Sequence, residues 1–196
     1  MPEMFIQQNP IMNAFTYGVE RPYIVLHSAL LERLSEDETL AVIAHEVGHV
    51  HSEHVLYLTA ARLIELLANA SVAALLPGAD IIKLIVAMGI NSALLAWARR
   101  AELSCDRAAV LVTQDPHAVG RTMMKLAGGT FASRIDYDLF LEQGRQFQQD
   151  CDEKGLDKFW ANAVNAGLTH PLPIWRVAEV IEWVESGEYE TLMENN

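Results

Sequence analysis

His45, Glu46 and His49 form an H-E-x-x-H motif within the run His45-Glu46-Val47-Gly48-His49. On a helix, residues four apart share a face, one turn above the other. The two imidazoles can therefore each present a nitrogen to one metal ion. Glu46 then lies beside that ion, where a carboxylate can take a proton from water. Zinc is the expected metal, because imidazole and carboxylate suit it and its catalytic sites keep one coordination position open. At 100° per residue, His51 and His54 fall on the far side of a continuous helix and are expected to face solvent.

The element that must carry this motif announces its own start. Ser35-Glu36-Asp37-Glu38 is a capping box, in which Ser35 caps the amide of Glu38 and Glu38 reaches back to Ser35. Three acids in the first turn also suit the helix dipole. A helix over 36–55 then carries Leu40, Ala41, Ile43, Ala44, Val47, Gly48 and Val50, an apolar surround that puts the motif in a core. Two histidines do not complete a zinc site, and a third protein ligand must come from elsewhere. His27, His117, His170 or an acid on another helix could supply it. Glu102 and Asp106 stand four apart in a helical run. One carboxylate can bind the metal while the other holds a ligand histidine by its second ring nitrogen. An exposed i, i+4 set pairing with Arg99 and Arg107 has the same spacing, and spacing alone leaves both readings open.

Four blocks occur in order along the chain: Asn9-Pro10-Ile11-Met12-Asn13-Ala14-Phe15, the H-E-x-x-H, Glu102-Leu103-Ser104-Cys105-Asp106, and Thr169-His170-Pro171 followed by Arg176. In these the chain resembles the HtpX-like family of gluzincin endopeptidases, which also holds the CAAX prenyl endopeptidases. The resemblance spans about residues 3–186. It implies Glu102 as third zinc ligand and Asp106 as support for a ligand histidine. It implies that His170 returns to the cleft, with Arg176 on the next helix, where a donor can stabilise the oxyanion of a tetrahedral intermediate. It also implies that Asn13, Ala14 and Phe15 form the sheet edge on which an extended peptide docks. Many members have Glu and Ala where Ser104 and Cys105 stand. Neither is a ligand position, and Cys105 is expected to be a small buried residue.

With 196 residues, 51% of them hydrophobic, the chain can build one domain over 1–196 with an ample core. A net charge of −12 argues against nucleic acid as a partner. Two cysteines give no disulfide framework and fit a reducing compartment. Met1-Pro2-Glu3 opens no signal peptide. The expected location is the cytoplasm or the cytoplasmic face of a membrane. Members of the family usually carry residues before the first block, so an N-terminal extension is expected to be missing.

Three short strands, 4–7, 14–19 and 23–26, are broken by Asn9-Pro10, Gly18 and Arg21-Pro22. Helices are expected over 28–34, 36–55, 56–76, 81–112, 116–128, 138–151 and 174–186. A small sheet followed by many helices is an α+β fold. Residues 55–98 read as an apolar helical hairpin whose arms approach bilayer-spanning length. Arg62, Glu65, Asn69, Lys83 and Asn91 interrupt it, and charges at bilayer depth are costly. A hairpin buried on protein or packed on a partner is favoured over a spanning one, with contact at a membrane surface as the alternative.

The function these features support is a zinc endopeptidase acting on unfolded or membrane-associated proteins. The alternative is a catalytically silent adaptor or chaperone-like module with structural zinc. The intact Glu46 favours the enzyme, since a structural site needs no base. An aminopeptidase would need an anchor for a free amino terminus, and no such motif stands out.

Overall fold

The protein is described by a computed structural model that covers residues 1–54, 56, 59, 79–151, 155–156, 158–160, 170 and 172–195. Three strands come first: β1 (Glu3–Gln7), β2 (Ala14–Tyr17) and β3 (Tyr23–His27). The sheet order is β1-β3-β2, with β1 parallel and β2 antiparallel to the central β3. The order follows from burial. Ile24, Val25 and Leu26 are all buried, so β3 is covered on both faces, whereas every residue of β1 is exposed. The turn between β2 and β3 depends on Gly18, whose φ is +89° and whose Cβ, if present, would meet the Arg21 carbonyl oxygen at 2.6 Å.

The short helix α1 (Ser28–Arg33) leads to α2 (Glu36–His51). The capping box at its start is formed: Ser35 Oγ accepts from the Glu38 amide at 3.3 Å, and Glu38 Oε2 accepts from the Ser35 amide at 2.8 Å. The helix ends four residues before the expected position. Ser52 closes it, and Glu53 takes the left-handed conformation with φ +53°, turning the chain before His54.

Next come the 35-residue α3 (Ala79–Thr113), α4 (Pro116–Gly128), a 3₁₀ turn over Gly129–Arg134, α5 (Tyr137–Asp150), α6 (Pro173–Glu185) and α7 (Glu188–Glu194). Asp115 caps α4 by accepting from the Ala118 amide at 2.9 Å, and Pro116 occupies the first turn, where a missing N–H costs nothing. The first arm of the expected hairpin lies largely outside the described residues. Its second arm is helical and runs into the Glu102 segment as one helix. No helix among the described residues is long and apolar enough to cross a membrane.

Helix α2 is the central plank. One side packs on the sheet, where Val42 joins Ala14, Ile24, Leu26, Leu30 and Leu34. The other side meets the helical layer, where Ala41 and Ala44 join Val110, Val119, Met123 and Val180. Leu40 and Val47, expected in the apolar surround, face outward. Small residues let α3 come close: a Cβ on Gly48 would stand 3.1 Å from Cys105 Sγ and 3.2 Å from Cys105 Cα.

The start of α2 is also tied to α4. Lys125 Nζ lies 2.7 Å from Glu38 Oε2, and Glu38 is buried. Burial pushes the Glu38 carboxyl up, but the Lys125 and Ser35 bonds outweigh it and hold the pKa below its ordinary 4.5. A depressed carboxyl stabilises the fold above its unfolded pKa, and this stability is lost as pH falls through the folded value. Lys125→Met should therefore lower the melting temperature at pH 7 by roughly 2–6 °C, from about 1–2 kcal/mol. The gap between variant and parent should narrow as pH is taken below 4.5. Thermal melts across pH read both effects.

Candidate metal centre

His45 and His49 leave α2 on the face that meets α3, and their Nε2 atoms are 3.1 Å apart. Glu102 enters from α3 and bridges them, with Oε2 3.5 Å from His45 Nε2 and Oε1 3.4 Å from His49 Nε2. His170, from the segment before α6, brings Nδ1 to 3.3 Å from His45 Nε2 and 3.1 Å from Glu102 Oε2. One ligand atom from each of these four residues lies within 4.8 Å of all the others. Ligands bonded to zinc at 2.0–2.2 Å in a tetrahedron stand about 3.3–3.6 Å from one another. From His45 Nε2, the His49 Nε2, His170 Nδ1 and Glu102 Oε2 atoms lie 3.1, 3.3 and 3.5 Å away, close to that range, so the donor set suits an ion of zinc's size.

A second ring of contacts orients these donors. His45 Nδ1 is 2.9 Å from Asp106 Oδ1. Asp106 is gripped by Arg176 from the first turn of α6, whose Nε donates to Oδ2 at 2.8 Å and whose Nη2 donates to Oδ1. Arg176 Nη1 also reaches Glu102 Oε2 at 2.9 Å. One buried guanidinium thus joins two buried carboxylates, and its two-pronged bond to Asp106 fixes the geometry. Burial raises the carboxyl pKa of Asp106 and of Glu102, but the cations beside each outweigh it. Arg176 holds Asp106 below its ordinary value, and His170 with Arg176 holds Glu102 well below it.

His54 departs from expectation. It is buried rather than solvent-facing, and its Nδ1 lies 3.1 Å from His49 Nδ1 and 3.5 Å from Cys105 Sγ. The early end of α2 and the left-handed Glu53 bring it back against the site, where a continuous helix would have carried it away. Burial, with His49 next, holds its pKa down at about 4. His49, His54 and Cys105 also form a second cluster of donors that could hold a metal ion, with His49 common to both. Cys105 is buried as expected. His51 faces solvent, while His27 and His117 bond elsewhere, to the Ile11 carbonyl and the Tyr137 hydroxyl.

Glu46 stands at the edge of the donor set, only 1% exposed. Its Oε1 is 3.1 Å from His170 Nε2, and its Oε2 accepts from the Thr16 hydroxyl at 2.6 Å. Burial pushes this carboxyl up, but the charges of His170, His45 and His49 bring it down to about 2. Burial lowers the His170 pKa, but Glu102 and Glu46 outweigh it and raise the imidazole well above its ordinary value. Its Nε2 also lies 3.2 Å from the Ala14 carbonyl oxygen, so the ring joins β2 to the metal donors.

A cavity of about 650 Å³ opens beside Glu46 and His170. Asn13 and Ala14 lie at its rim, and Leu30, Val42, Ala109, Val119 and Met123 are among the apolar residues that line it. Phe15 points from the other face of β2, against Tyr17 and His27. The sequence assigns neither Thr16 nor His54 to the site: the first reads only as a residue of the edge strand and the second as solvent-facing. The signal available for Thr16 was its two-residue spacing from Ala14, which puts both on one face of a strand.

No solved structure matches the chain. Among curated proteins it is 39% identical, over 98% of its own length, to the plastoglobule-localized metallopeptidase 48 of Arabidopsis thaliana chloroplasts. It spans about half (54%) of that relative. Shorter stretches match the protease HtpX of Aeromonas hydrophila (44% over 61 residues, 30% of this chain and 21% of that one) and an HtpX homologue of Nitrosomonas eutropha (44% over 52 residues, 26% and 18%). Residues 2–184 match peptidase family M48. The chain belongs to peptidase family M48.

Proposed function

We propose that the chain is a zinc-dependent endopeptidase domain that hydrolyses peptide bonds of unfolded or membrane-associated proteins. The observation that carries this reading is the place of Glu46. Its buried carboxylate sits between a zinc-sized donor set and the mouth of a large apolar cavity. His45, His49 and Glu102 would hold the ion, with Asp106 against the first and Arg176 against the third. A zinc ion there supplies a Lewis acid for the scissile carbonyl and lowers the pKa of water. Glu46 takes the proton of the attacking water on Oε1 and passes it to the leaving amine. His170 stands beside this set, its Nδ1 3.3 Å from His45 Nε2 and 3.1 Å from Glu102 Oε2, where its ring could donate a hydrogen bond to the oxyanion. The peptide lies extended along Asn13, Ala14 and Phe15 on the outer edge of β2.

The cavity supports a preference for a bulky apolar side chain next to the scissile bond. Buried apolar area favours binding by about 25 cal/mol per Å², and apolar residues such as Leu30, Val42, Val119 and Met123 line this cavity. Ala109→Phe, which places a ring inside the cavity, should cut kcat/KM for peptides with Phe or Leu at that position by roughly tenfold or more. Peptides with Ala there should be cut at nearly the parent rate. Equal losses for both peptide sets would refute the assignment.

The four-donor arrangement also favours a second reading. Closed four-ligand sites are the structural kind, so a silent zinc-containing adaptor or chaperone-like module remains the alternative. Metal analysis together with cleavage of an unfolded casein-type substrate, with and without a chelator, separates the two. Zinc with chelator-sensitive cleavage supports the peptidase. Zinc without cleavage supports the module. The location proposed is the cytoplasm or the cytoplasmic face of a membrane, and contact with a membrane or partner protein is proposed for residues 55–98.

A further inference from the structure

Thr16 faces the base from the neighbouring strand. Side chains alternate along β2, so Ala14 and Thr16 share a face, and Ala14 packs with Val42 of α2. Thr16 Oγ lies 2.6 Å from Glu46 Oε2 and 3.2 Å from the Glu46 carbonyl oxygen. The first is the length of a strong bond from a hydroxyl to a carboxylate. It engages the oxygen that His170 does not touch, since His170 Nε2 meets Oε1.

The main chain of Thr16 points the other way. The His27 amide donates to the Asn13 carbonyl at 3.0 Å, and β2 pairs with β3 in the register Ala14 to Leu26 and Thr16 to Ile24. Hydrogen-bonded and non-bonded pairs alternate in an antiparallel ladder. The N–H and C=O groups of Ala14 and Thr16 therefore point away from β3, toward the outer edge of the sheet. The Ala14 carbonyl obeys this by meeting His170.

We propose that Thr16 is a positioning residue for the base. A glutamate carboxylate rotates in a broad, roughly two-fold well at its last torsion, so packing alone does not fix the plane of the carboxylate and the direction in which its free oxygen points. The Thr16 hydroxyl fixes Oε2 and leaves Oε1 to accept the proton. The same residue presents its outward main chain where an extended peptide adds to β2. Substrate docking and alignment of the base thus meet in one side chain. This inference rests on the endopeptidase reading above.

The test compares Thr16→Val, nearly the same shape without the donor, with Thr16→Ser, which keeps it, at equal zinc occupancy and beside a Glu46→Gln control. Thr16→Val should lower kcat about 10–100-fold while KM stays within about twofold, since the bond acts on the base rather than on binding. Zinc stoichiometry and melting temperature should be unchanged. Thr16→Ser should restore kcat to within about threefold of the parent. A crystal structure of zinc-loaded Thr16→Val should show the Glu46 carboxylate turned from its parent orientation. An active parent with Thr16→Val equally fast, or with Thr16→Ser as slow as Thr16→Val, overturns the inference alone. A zinc-loaded parent that cuts nothing overturns the endopeptidase reading, and this inference with it.

Discussion

Glu46→Gln is expected to abolish peptide hydrolysis while leaving the zinc and the fold in place. The amide keeps the shape of the carboxylate and still accepts from Thr16 through its carbonyl oxygen. It cannot take up the water proton, so the general-base contribution of about 10²–10⁴-fold should be lost. Glu46 does not belong to the four-residue donor set, so metal content should stay at the parent level. The variant must be compared at equal zinc occupancy, with a chelator control against a contaminating protease. A variant that cuts an unfolded substrate as fast as the parent would remove Glu46 from the mechanism.

The second large effect concerns the metal itself. Purified parent should carry about one equivalent of zinc, and His49→Ala should lose it. The loss should extend to stability, since an ion that binds the folded state alone raises the melting temperature and its removal lowers it. Asp106→Asn makes a graded comparison. It keeps every ligand but weakens the hold on His45 Nδ1 and Arg176, so zinc affinity should fall by roughly 10–100-fold rather than vanish. Competition with a chromogenic chelator measures both variants. Full zinc retention in His49→Ala would sink the ligand assignment.

The sequence was readable where a local pattern carries a local cause. Ser35 and Glu38 predict the start of α2 because a capping box satisfies amides within one turn, and the bonds are present. The small sheet and the helices after it could be placed from turn residues and apolar periods. His45 and His49 meet because four residues make one turn. Glu102 was undecided by spacing, because an exposed charge pair and a ligand look alike until α3 is known to pack on α2.

What stayed hidden depends on contacts between distant segments. His170 reaches Glu102 across 68 residues, a return that the family resemblance implies but that no local spacing encodes. His54 was misplaced because nothing in Ser52-Glu53 marks a helix end as a glycine would, although Glu53 takes the left-handed conformation there. Thr16 reads as an ordinary strand residue until the register of β2 on β3 turns its hydroxyl to Glu46.

The narrow gap between α2 and α3 bears on which ion the protein selects. Zinc bonds to nitrogen and oxygen at about 2.0–2.2 Å and calcium to oxygen at about 2.3–2.6 Å, so a few tenths of an ångström separate the two. The bite between the paired imidazoles and Glu102 is set by how closely the helices approach, and that approach is limited at Gly48 and Cys105. A methyl group added there would spread the helices by about the amount that distinguishes one cation from the other. Gly48, with Cys105 packed against it, thereby limits how far the helices close, and ion preference can drift through them while His45, His49 and Glu102 stay the same.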